Sequence, residues 1–152
     1  MVTAKTSMEK SAGIILYRER LGSREYLLLR YPSRVIYWGF TKGHLEGAET
    51  EEEAALREAR EETNLISISI IPGFQAAMRY FLTAGEKRVS KEVVFFLGEV
   101  DDVNDGNVSG EHQELRWFSY EVALNLLKHK KDRRLLEQAE EFIGKLVASK
   151  SQ

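Results

Sequence analysis

The stretch Gly43–Leu65, GHLEGAETEEEAALREAREETNL, decides the fold of this chain. Its second half is rich in Glu, Ala, Leu and Arg, which are strong helix formers. Thr50 followed by Glu53 fits a capping box at the start of a helix. Asn64 tolerates the left-handed conformation in which many helices end. The stretch therefore predicts a glycine-containing loop and a helix that Thr50 opens and Asn64 closes.

Carboxylates are concentrated on one face of this predicted helix. Glu58 and Glu62 are four residues apart and Glu61 is three residues from Glu58, so their side chains are neighbours. Arg57 is four residues from Glu61, and an exposed pair of this kind contributes about 0.2–0.5 kcal/mol. A solvated, charged helix is therefore one interpretation of the pattern.

A binding site for a hard cation is the other interpretation. Mg²⁺ prefers carboxylate oxygens, retains several waters and is shared with substrate phosphates. Two or three carboxylates on adjacent helical turns, beside the loop Lys42–Glu49 with its backbone carbonyls, provide such ligands. Helix energetics do not decide between the two interpretations, because a like-charge pair costs only a few tenths of a kcal/mol.

The segments around this helix predict an α/β fold. Apolar, partly β-branched runs bounded by polar or turn residues are typical of strands, and they occur at residues 11–18, 25–31, 35–41, 66–71, 75–82, 91–100 and 114–118. Ser119 is predicted to cap a helix over residues 120–128, and Asp132 to cap another that runs to Ala148. We expect a mixed β-sheet with helices on both faces.

Composition limits the class of protein further. The 152 residues contain no cysteine, which excludes disulfides and thiolate metal sites, and no apolar run long enough to cross a membrane. A net charge of −2 disfavours non-specific nucleic-acid binding. We expect a single cytoplasmic domain over residues 1–152, with residues 1–10 as a flexible N-terminus.

The spacing of the histidines and the basic run near the C-terminus do not by themselves indicate a binding site. His44, His112 and His129 show no metal-ligand spacing, so no zinc site is predicted. The basic run at residues 129–134 is interpreted as a solvated turn between two helices. Contact with a nucleic-acid backbone is the less favoured alternative for that run.

The spacing of the charged residues resembles the Nudix box, G-x5-E-x7-R-E-U-x-E-E-x-G-U, in which U is an apolar residue. The matching residues are Gly43, Glu49, Arg57, Glu58, Ala59, Glu61, Glu62 and Leu65. A chance match of the six glycine and charged positions has a probability on the order of 10⁻⁵ for a chain of average composition. The one departure is Asn64 in place of the family's glycine, and asparagine also tolerates the left-handed conformation.

This resemblance implies an α/β/α sandwich with a loop–helix–loop catalytic motif, and hydrolysis of a nucleoside diphosphate linked to another group with Mg²⁺, or Mn²⁺ as a substitute. By position in the box, Glu58 and Glu62 are the principal metal ligands and Glu61 is a further ligand or orients water. The carbonyl of Gly43 is a further ligand. Arg57 holds the box carboxylates in place.

Other segments resemble the asymmetrical diadenosine tetraphosphate hydrolases of the same family, which implies cleavage to ATP and AMP. They are Lys42-Gly43-His44, Lys91–Val100 and Glu111–Trp117. Glu111 matches a carboxylate that approaches the metal from a later loop, as general base or extra ligand. Lys42, His44, Arg79 and Lys91 are candidates to bind the polyphosphate, and Tyr80 resembles the aromatic that stacks on adenine. Leu115 stands where some members have a second aromatic residue.

Two alternatives remain open. One is a hydrolase with the same chemistry but another substrate, either a broader nucleoside-diphosphate-X hydrolase or a pyrophosphohydrolase that acts on the 5′ end of RNA and uses the basic run at residues 129–134. A nucleotide-binding sensor domain that has lost catalysis belongs to another class. Retention of the box carboxylates argues against that second alternative. The sequence does not predict the oligomeric state.

Overall fold

The computed structural model describes residues 6–108, 110, 112 and 114–150, which form a mixed β-sheet between helices. Eight strands form the sheet within the described residues. They are β1 (Thr6–Arg20), β2 (Ser23–Tyr31), β3 (Tyr37–Gly39), β4 (Thr41–His44), β5 (Ile68–Ile70), β6 (Ala76–Ala84), β7 (Lys87–Val100) and β8 (Glu114–Ser119). The helices are α1 (Glu51–Thr63), α2 (Tyr120–Leu126) and α3 (Lys130–Lys150).

The long strands β1 and β7 form the centre of the sheet. They pair in parallel, whereas every other pairing is antiparallel. One edge of β2 pairs with β1 and, further along, with β3, and its other edge pairs with β8. Strand β7 pairs with β5 and β6 on the edge away from β1. Strand β4 pairs with β1, with Gly43 opposite Ala12. This pairing brings the start of the Gly43–Leu65 stretch against the middle of the sheet.

Helix α1 begins and ends as its sequence predicts. The side chain of Thr50 accepts a hydrogen bond from the backbone N–H of Glu53, and the Glu53 side chain accepts one from the backbone N–H of Thr50, each at 3.1 Å. Asn64 has a φ of 58° and closes the helix in the left-handed conformation. These caps fix the helix over Glu51–Thr63.

Each face of the sheet is covered by different helices. Ala54, Ala55 and Ala59 of α1 are completely buried against one face. Helices α2 and α3 cover the other face with buried residues that include Ala123 and Leu136. Small alanine side chains let α1 lie close to the sheet. The expected α/β/α sandwich is confirmed, and none of the helices among the described residues is long and apolar enough to span a membrane.

The structure corrects several expected boundaries. Residues 6–10, predicted to be part of a flexible segment, belong to β1 and pair with β7, while residues 1–5 lie outside the described residues. The segment predicted as one strand over residues 35–41 forms two strands, because the chain leaves β2 and joins β1 near Phe40. Residues 42–44 therefore belong to β4 rather than to a loop.

The predicted limits of the last two helices also change. Helix α2 ends at Leu126, two residues before the predicted limit. Helix α3 begins at Lys130, so Asp132 lies inside its first turn and is not the N-cap. The bond from Arg133 N–H to the carbonyl of His129 closes this turn at 3.1 Å. An aspartate is favourable in the first turn as well as at the cap, since both positions are near the positive end of the helix dipole.

Candidate active site

Residues of helix α1 and of strands β1, β4, β6 and β7 line a cleft of about 460 Å³. It brings together most of the residues that the sequence singles out. The predicted site residues that line it are Lys42, Gly43, His44, Glu58, Glu61, Glu62, Tyr80 and Lys91. Carboxylates of α1 therefore share one concave surface with the lysines and the tyrosine of the sheet.

Glu58 and Gly43 are in close contact across this cleft. A β-carbon placed on Gly43 would lie 2.1 Å from the carboxyl carbon of Glu58, so only glycine leaves space for this carboxylate. Burial raises the pKa of Glu58, and the neighbouring Arg57 acts in the opposite direction. The Glu58 carboxylate is thus held beside the backbone of β4.

Arg57 connects the loop before α1 to the carboxylates of the helix. Its Nε and Nη2 atoms donate to both carboxylate oxygens of Glu49, at 2.7 and 3.0 Å. Nη2 also donates to the carbonyl of His44 at 3.0 Å, and Nη1 donates to Glu58 at 2.9 Å and to Glu61 at 3.3 Å. The guanidinium holds the pKa of Glu49 below its ordinary value. Arg57 therefore fixes these groups relative to one another, as expected for a positioning residue.

Glu62 is buried at the inner end of the cleft, with 7% of its surface exposed. Its Oε1 accepts a hydrogen bond from the backbone N–H of Lys42 at 3.1 Å, and its Oε2 lies 2.9 Å from Nε2 of His112. These contacts orient a carboxylate that would otherwise be costly to bury. Glu61 differs from it, because 58% of its side chain is exposed to solvent.

Cationic and aromatic side chains of the sheet face these carboxylates. Burial lowers the pKa of Lys42, and Lys91 acts in the same direction. Lys91 lies opposite Tyr80 in the β6–β7 pair, and its Nζ is 3.7 Å from Glu9. Both lysines are therefore available near the carboxylates to contact an anionic ligand.

Two predicted residues are placed differently. Arg79 does not line the cleft; its Nη2 donates to Glu92 at 2.8 Å. Adjacent residues of a strand point to opposite faces, which separates Arg79 from Tyr80. Glu111, predicted as base or extra ligand, lies outside the described residues. His44 lines the cleft, and its ring Nδ1 is 3.5 Å from Oγ of Ser11.

The sequence analysis did not identify Tyr31 as part of the site. Its hydroxyl donates to the carbonyl of Phe40, and its ring makes an edge contact with His112 at a centroid distance of 4.6 Å. His112 in turn contacts Glu62. The motif around Glu111–Trp117 contains His112, but no local pattern indicates that Tyr31 would reach it.

The fit of this cleft to a metal ion depends on the chemistry of its donors. Among the described residues, no three histidine, aspartate or glutamate side chains lie in an arrangement that would hold an ion by themselves. Mg²⁺ generally uses one or two carboxylates and retains waters and substrate oxygens as the other ligands. Glu58 beside the Gly43 backbone, with Glu62 one helical turn later, fits that requirement.

Comparison with known proteins identifies the class to which this fold and cleft belong. The model of the NUDIX domain matches residues 8–139, so the chain belongs to the NUDIX family. This confirms the resemblance found in the sequence. Nudix hydrolases generally need a divalent metal ion.

Individual relatives narrow the comparison. The chain is 32% identical over 143 residues to the asymmetrical bis(5′-nucleosyl)-tetraphosphatase of Mus musculus, a match that covers 88% of this chain and 95% of the relative. It is 30% identical over 135 residues to the Caenorhabditis elegans protein of the same name, covering 89% and 96%. A crystal structure of a C. elegans Ap4A hydrolase binary complex has a TM-score of 0.79 at 30% identity, covering 90% of this chain and 98% of that one. Family and relatives together make the chain a pyrophosphohydrolase.

Proposed function

We propose that the chain hydrolyses diadenosine tetraphosphate asymmetrically, to ATP and AMP, with Mg²⁺ as the metal and Mn²⁺ as a substitute. The observation that carries the proposal is the cleft in which Glu58 and Glu62 face Lys91 and Tyr80. It offers ligands for a metal, cations for phosphates and a ring for a base. The curated relatives that bear this activity in their names match over most of their length.

Glu58, Glu62 and the carbonyl of Gly43 are the groups that would hold the metal, with Glu61 as a further ligand. A divalent cation bound there neutralises phosphate charge and lowers the pKa of a nearby water. Glu61 is the most exposed of these carboxylates, so it can reach either the ion or a water. The close contact of Glu58 with Gly43 supports a shared role for that carboxylate and the backbone of β4.

Substrate contacts are assigned to the residues opposite the carboxylates. Lys42 and Lys91 would contact the polyphosphate, because charge-assisted hydrogen bonds to phosphate are strong. His44 lines the same cleft and is a further candidate. Tyr80 offers a ring against which adenine can stack. Arg79 is paired with Glu92 outside the cleft, which makes it the weakest of the proposed phosphate ligands.

The chemical step requires a base for the attacking water. We assign this role to Glu111, whose carboxylate would accept the proton while the water oxygen bonds to phosphorus and a bridging P–O bond breaks. Arg57 does not touch substrate in this scheme; it holds Glu58 through Nη1 and the loop through Glu49. Catalysis then depends on positioning and charge neutralisation rather than on a covalent intermediate.

The test is hydrolysis of diadenosine tetraphosphate in ¹⁸O-labelled water with added Mg²⁺, followed by mass spectrometry. ATP and AMP as the first products, with one label per cleavage, are expected. Two molecules of ADP would contradict the asymmetric cleavage. Turnover of RNA 5′-triphosphate without turnover of the dinucleotide would assign the chain to that substrate instead. Binding of nucleotide without cleavage of any substrate would indicate a sensor domain.

A further inference from the structure

A second cavity of about 430 Å³ adjoins the catalytic cleft and shares Lys42 and Tyr80 with it. The rings of Tyr37, Tyr80 and His129 line it, and Asp132 of α3 contributes a carboxyl group. The rings of Tyr37 and His129 contact each other with centroids 5.3 Å apart. We call this cavity the tyrosine pocket. Its aromatic lining suits a flat, heterocyclic ligand such as a nucleobase.

Asp132 is an unusual residue to find in such a lining. Only 7% of its surface is exposed, although buried carboxylates are normally paired with a cation. Lys42 and His129 attract the carboxylate through space, but neither forms an ion pair with it in the part of the chain that the structure describes. Lys131, another lysine of the pocket, donates its Nζ hydrogen bond to the carbonyl of Arg79 at 2.8 Å. The hydroxyl of Tyr37 donates a hydrogen bond to the carboxyl group, which leaves further acceptor positions on its two oxygens.

We propose that Asp132 is a specificity-determining residue whose carboxylate accepts a hydrogen bond from the exocyclic amino group of a nucleobase in the tyrosine pocket. The proposal rests on the function assigned above, because the polyphosphate cleft must place a nucleoside next to this pocket. It adds a residue of α3 that reads the edge of the base, whereas Tyr80 contacts only its face.

The chemistry of a carboxylate explains the expected preference. An ionised carboxylate has acceptors only, so it pairs with an amino group and repels a carbonyl oxygen. Adenine offers an amino group at position 6, where hypoxanthine has a carbonyl oxygen. Guanine offers an amino group and an N–H on the same edge. A site built to bind such a donor rejects an analogue that lacks it, because an acceptor position of the buried carboxylate then has no donor and faces a carbonyl oxygen instead.

The experiment compares the cleavage of diadenosine, diguanosine and diinosine tetraphosphates by the full chain and by Asp132→Asn. Asparagine has similar size but offers both a donor and an acceptor. We expect the wild-type chain to prefer an amino-bearing dinucleotide over the inosine analogue by about ten- to hundredfold in kcat/KM. Asp132→Asn is expected to remove most of that preference, through KM rather than kcat. The preferred base among adenine and guanine identifies the amino group that is read.

Two further variants separate base recognition from a structural role of Asp132. Asp101→Asn removes an exposed aspartate outside the pocket and is expected to leave the base preference unchanged. Asp132→Ala removes both hydrogen-bonding groups and should abolish the preference as Asn does. If Asp132 serves only the first turn of α3, both variants shift the melting temperature and leave the ratio of kcat/KM values unchanged, which overturns the proposal.

A binding measurement distinguishes failure of this inference from failure of the proposed function. Titration calorimetry with AMP and with IMP needs no cleavage. If the wild-type chain cleaves no dinucleotide but binds AMP more tightly than IMP, and Asp132→Asn loses that difference, the inference stands and the proposed function is wrong. Equal binding of AMP, GMP and IMP to the wild-type chain would overturn the inference whatever the chain hydrolyses.

Discussion

The carboxylate of Glu58 occupies the space that a side chain on Gly43 would need. A β-carbon at residue 43 would lie within 2.5 Å of both of its oxygens and within 2.1 Å of its carboxyl carbon. The obstructing atoms are the end of a flexible side chain, so the fold can accommodate an alanine by moving that carboxylate. If Glu58 holds the metal, as proposed above, that movement of its carboxylate also displaces the ion.

Gly43→Ala is therefore expected to lower activity far more than stability. Turnover should fall by at least about a hundredfold, since displacing a ligand costs more than losing a group that orients one. The melting temperature should change by only a few degrees, which corresponds to about 1 kcal/mol. Steady-state kinetics measures the turnover, and thermal unfolding measures the melting temperature. Gly144→Ala, in an exposed part of α3 with no atom within 4 Å of the new methyl, is the matched control.

Removing the charge of Glu58 or Glu62 tests the metal site directly. Glu58→Gln and Glu62→Gln keep shape and helix propensity, and each is expected to reduce turnover by more than about a hundredfold at saturating Mg²⁺. Glu52→Gln removes an exposed carboxylate from the same helix and should leave turnover unchanged. Removal of metal with EDTA should abolish wild-type activity and addition of Mg²⁺ restore it. Near-normal turnover in both cleft variants would show that these carboxylates do not hold the metal.

Local signals in the sequence predict the limits of α1, but they do not predict which side chains surround the cleft. The capping box joins residues only three apart, so Thr50 and Glu53 indicate it directly. The contact of Tyr31 with His112 joins β2 to a segment far along the chain. The strand pairing that brings Tyr31 next to His112 depends on the whole sheet, so no short stretch of sequence indicates this contact.

The residues predicted to bind substrate also depend on contacts that a local stretch of sequence does not indicate. Sequence analysis selects Arg79 as a candidate to bind the polyphosphate, and Tyr80 because it resembles an aromatic residue that stacks on adenine. Strand geometry allows only one of two neighbours to face a given side, and the register that places Tyr80 opposite Lys91 decides which. Asp132 was interpreted as a helix cap because an aspartate near a helix start has that role most often. Its burial in the tyrosine pocket follows from the packing of α3, which the neighbouring residues in the sequence do not predict.

Arg57→Lys tests whether the geometry of the guanidinium matters beyond its charge. Lysine cannot reproduce the paired bonds to Glu49 together with the bonds to Glu58 and the carbonyl of His44. We expect a loss of about 10- to 100-fold in kcat, as for other residues that orient a metal ligand. Arg60→Lys, an exposed change on the same helix, should retain full activity. Equal activity of the two variants would show that Arg57 contributes only an exposed ion pair and does not position the carboxylates.

Asn64 has acquired a contact that glycine, the family's residue there, cannot make. Its Nδ2 donates to Oδ1 of Asn107 at 2.7 Å and to the carbonyl of the same residue at 3.2 Å. These bonds tie the end of α1 to the loop that leads toward Glu111. Asn64→Gly keeps the left-handed conformation and loses both bonds, so we expect destabilisation of about 1 kcal/mol and a melting temperature lower by about 2–4 °C. An unchanged melting temperature would show that the loop is held by other contacts.

If Glu111 is the general base, it should affect the rate more than the stability. Glu111→Gln is expected to lower kcat by about 10²–10⁴-fold, the usual contribution of a general base, with little change in melting temperature because glutamine keeps the size and shape of the side chain. The matched variant is Glu86→Gln, in the exposed turn between β6 and β7, which should leave kcat unchanged. A normal kcat for Glu111→Gln would show that another group accepts the proton of the attacking water.

The buried carboxyl group of Asp132 should make stability depend on pH in a definite direction. Burial raises its pKa above the ordinary 3.8, so the native state holds a proton that the unfolded state releases. The cost of ionising this group is therefore fully present above the raised pKa and disappears as the pH falls to 3.8.

Asp132→Asn carries no such cost. Its melting temperature should exceed that of the wild-type chain at about pH 7.5, and the difference should shrink toward about pH 4.5. The surface variant Asp101→Asn controls for loss of one acidic group. If the melting temperature of Asp132→Asn rises relative to that of the wild-type chain on acidification, ionised Asp132 stabilises the fold. A structural role would then be enough to explain the carboxylate in the tyrosine pocket, without base recognition.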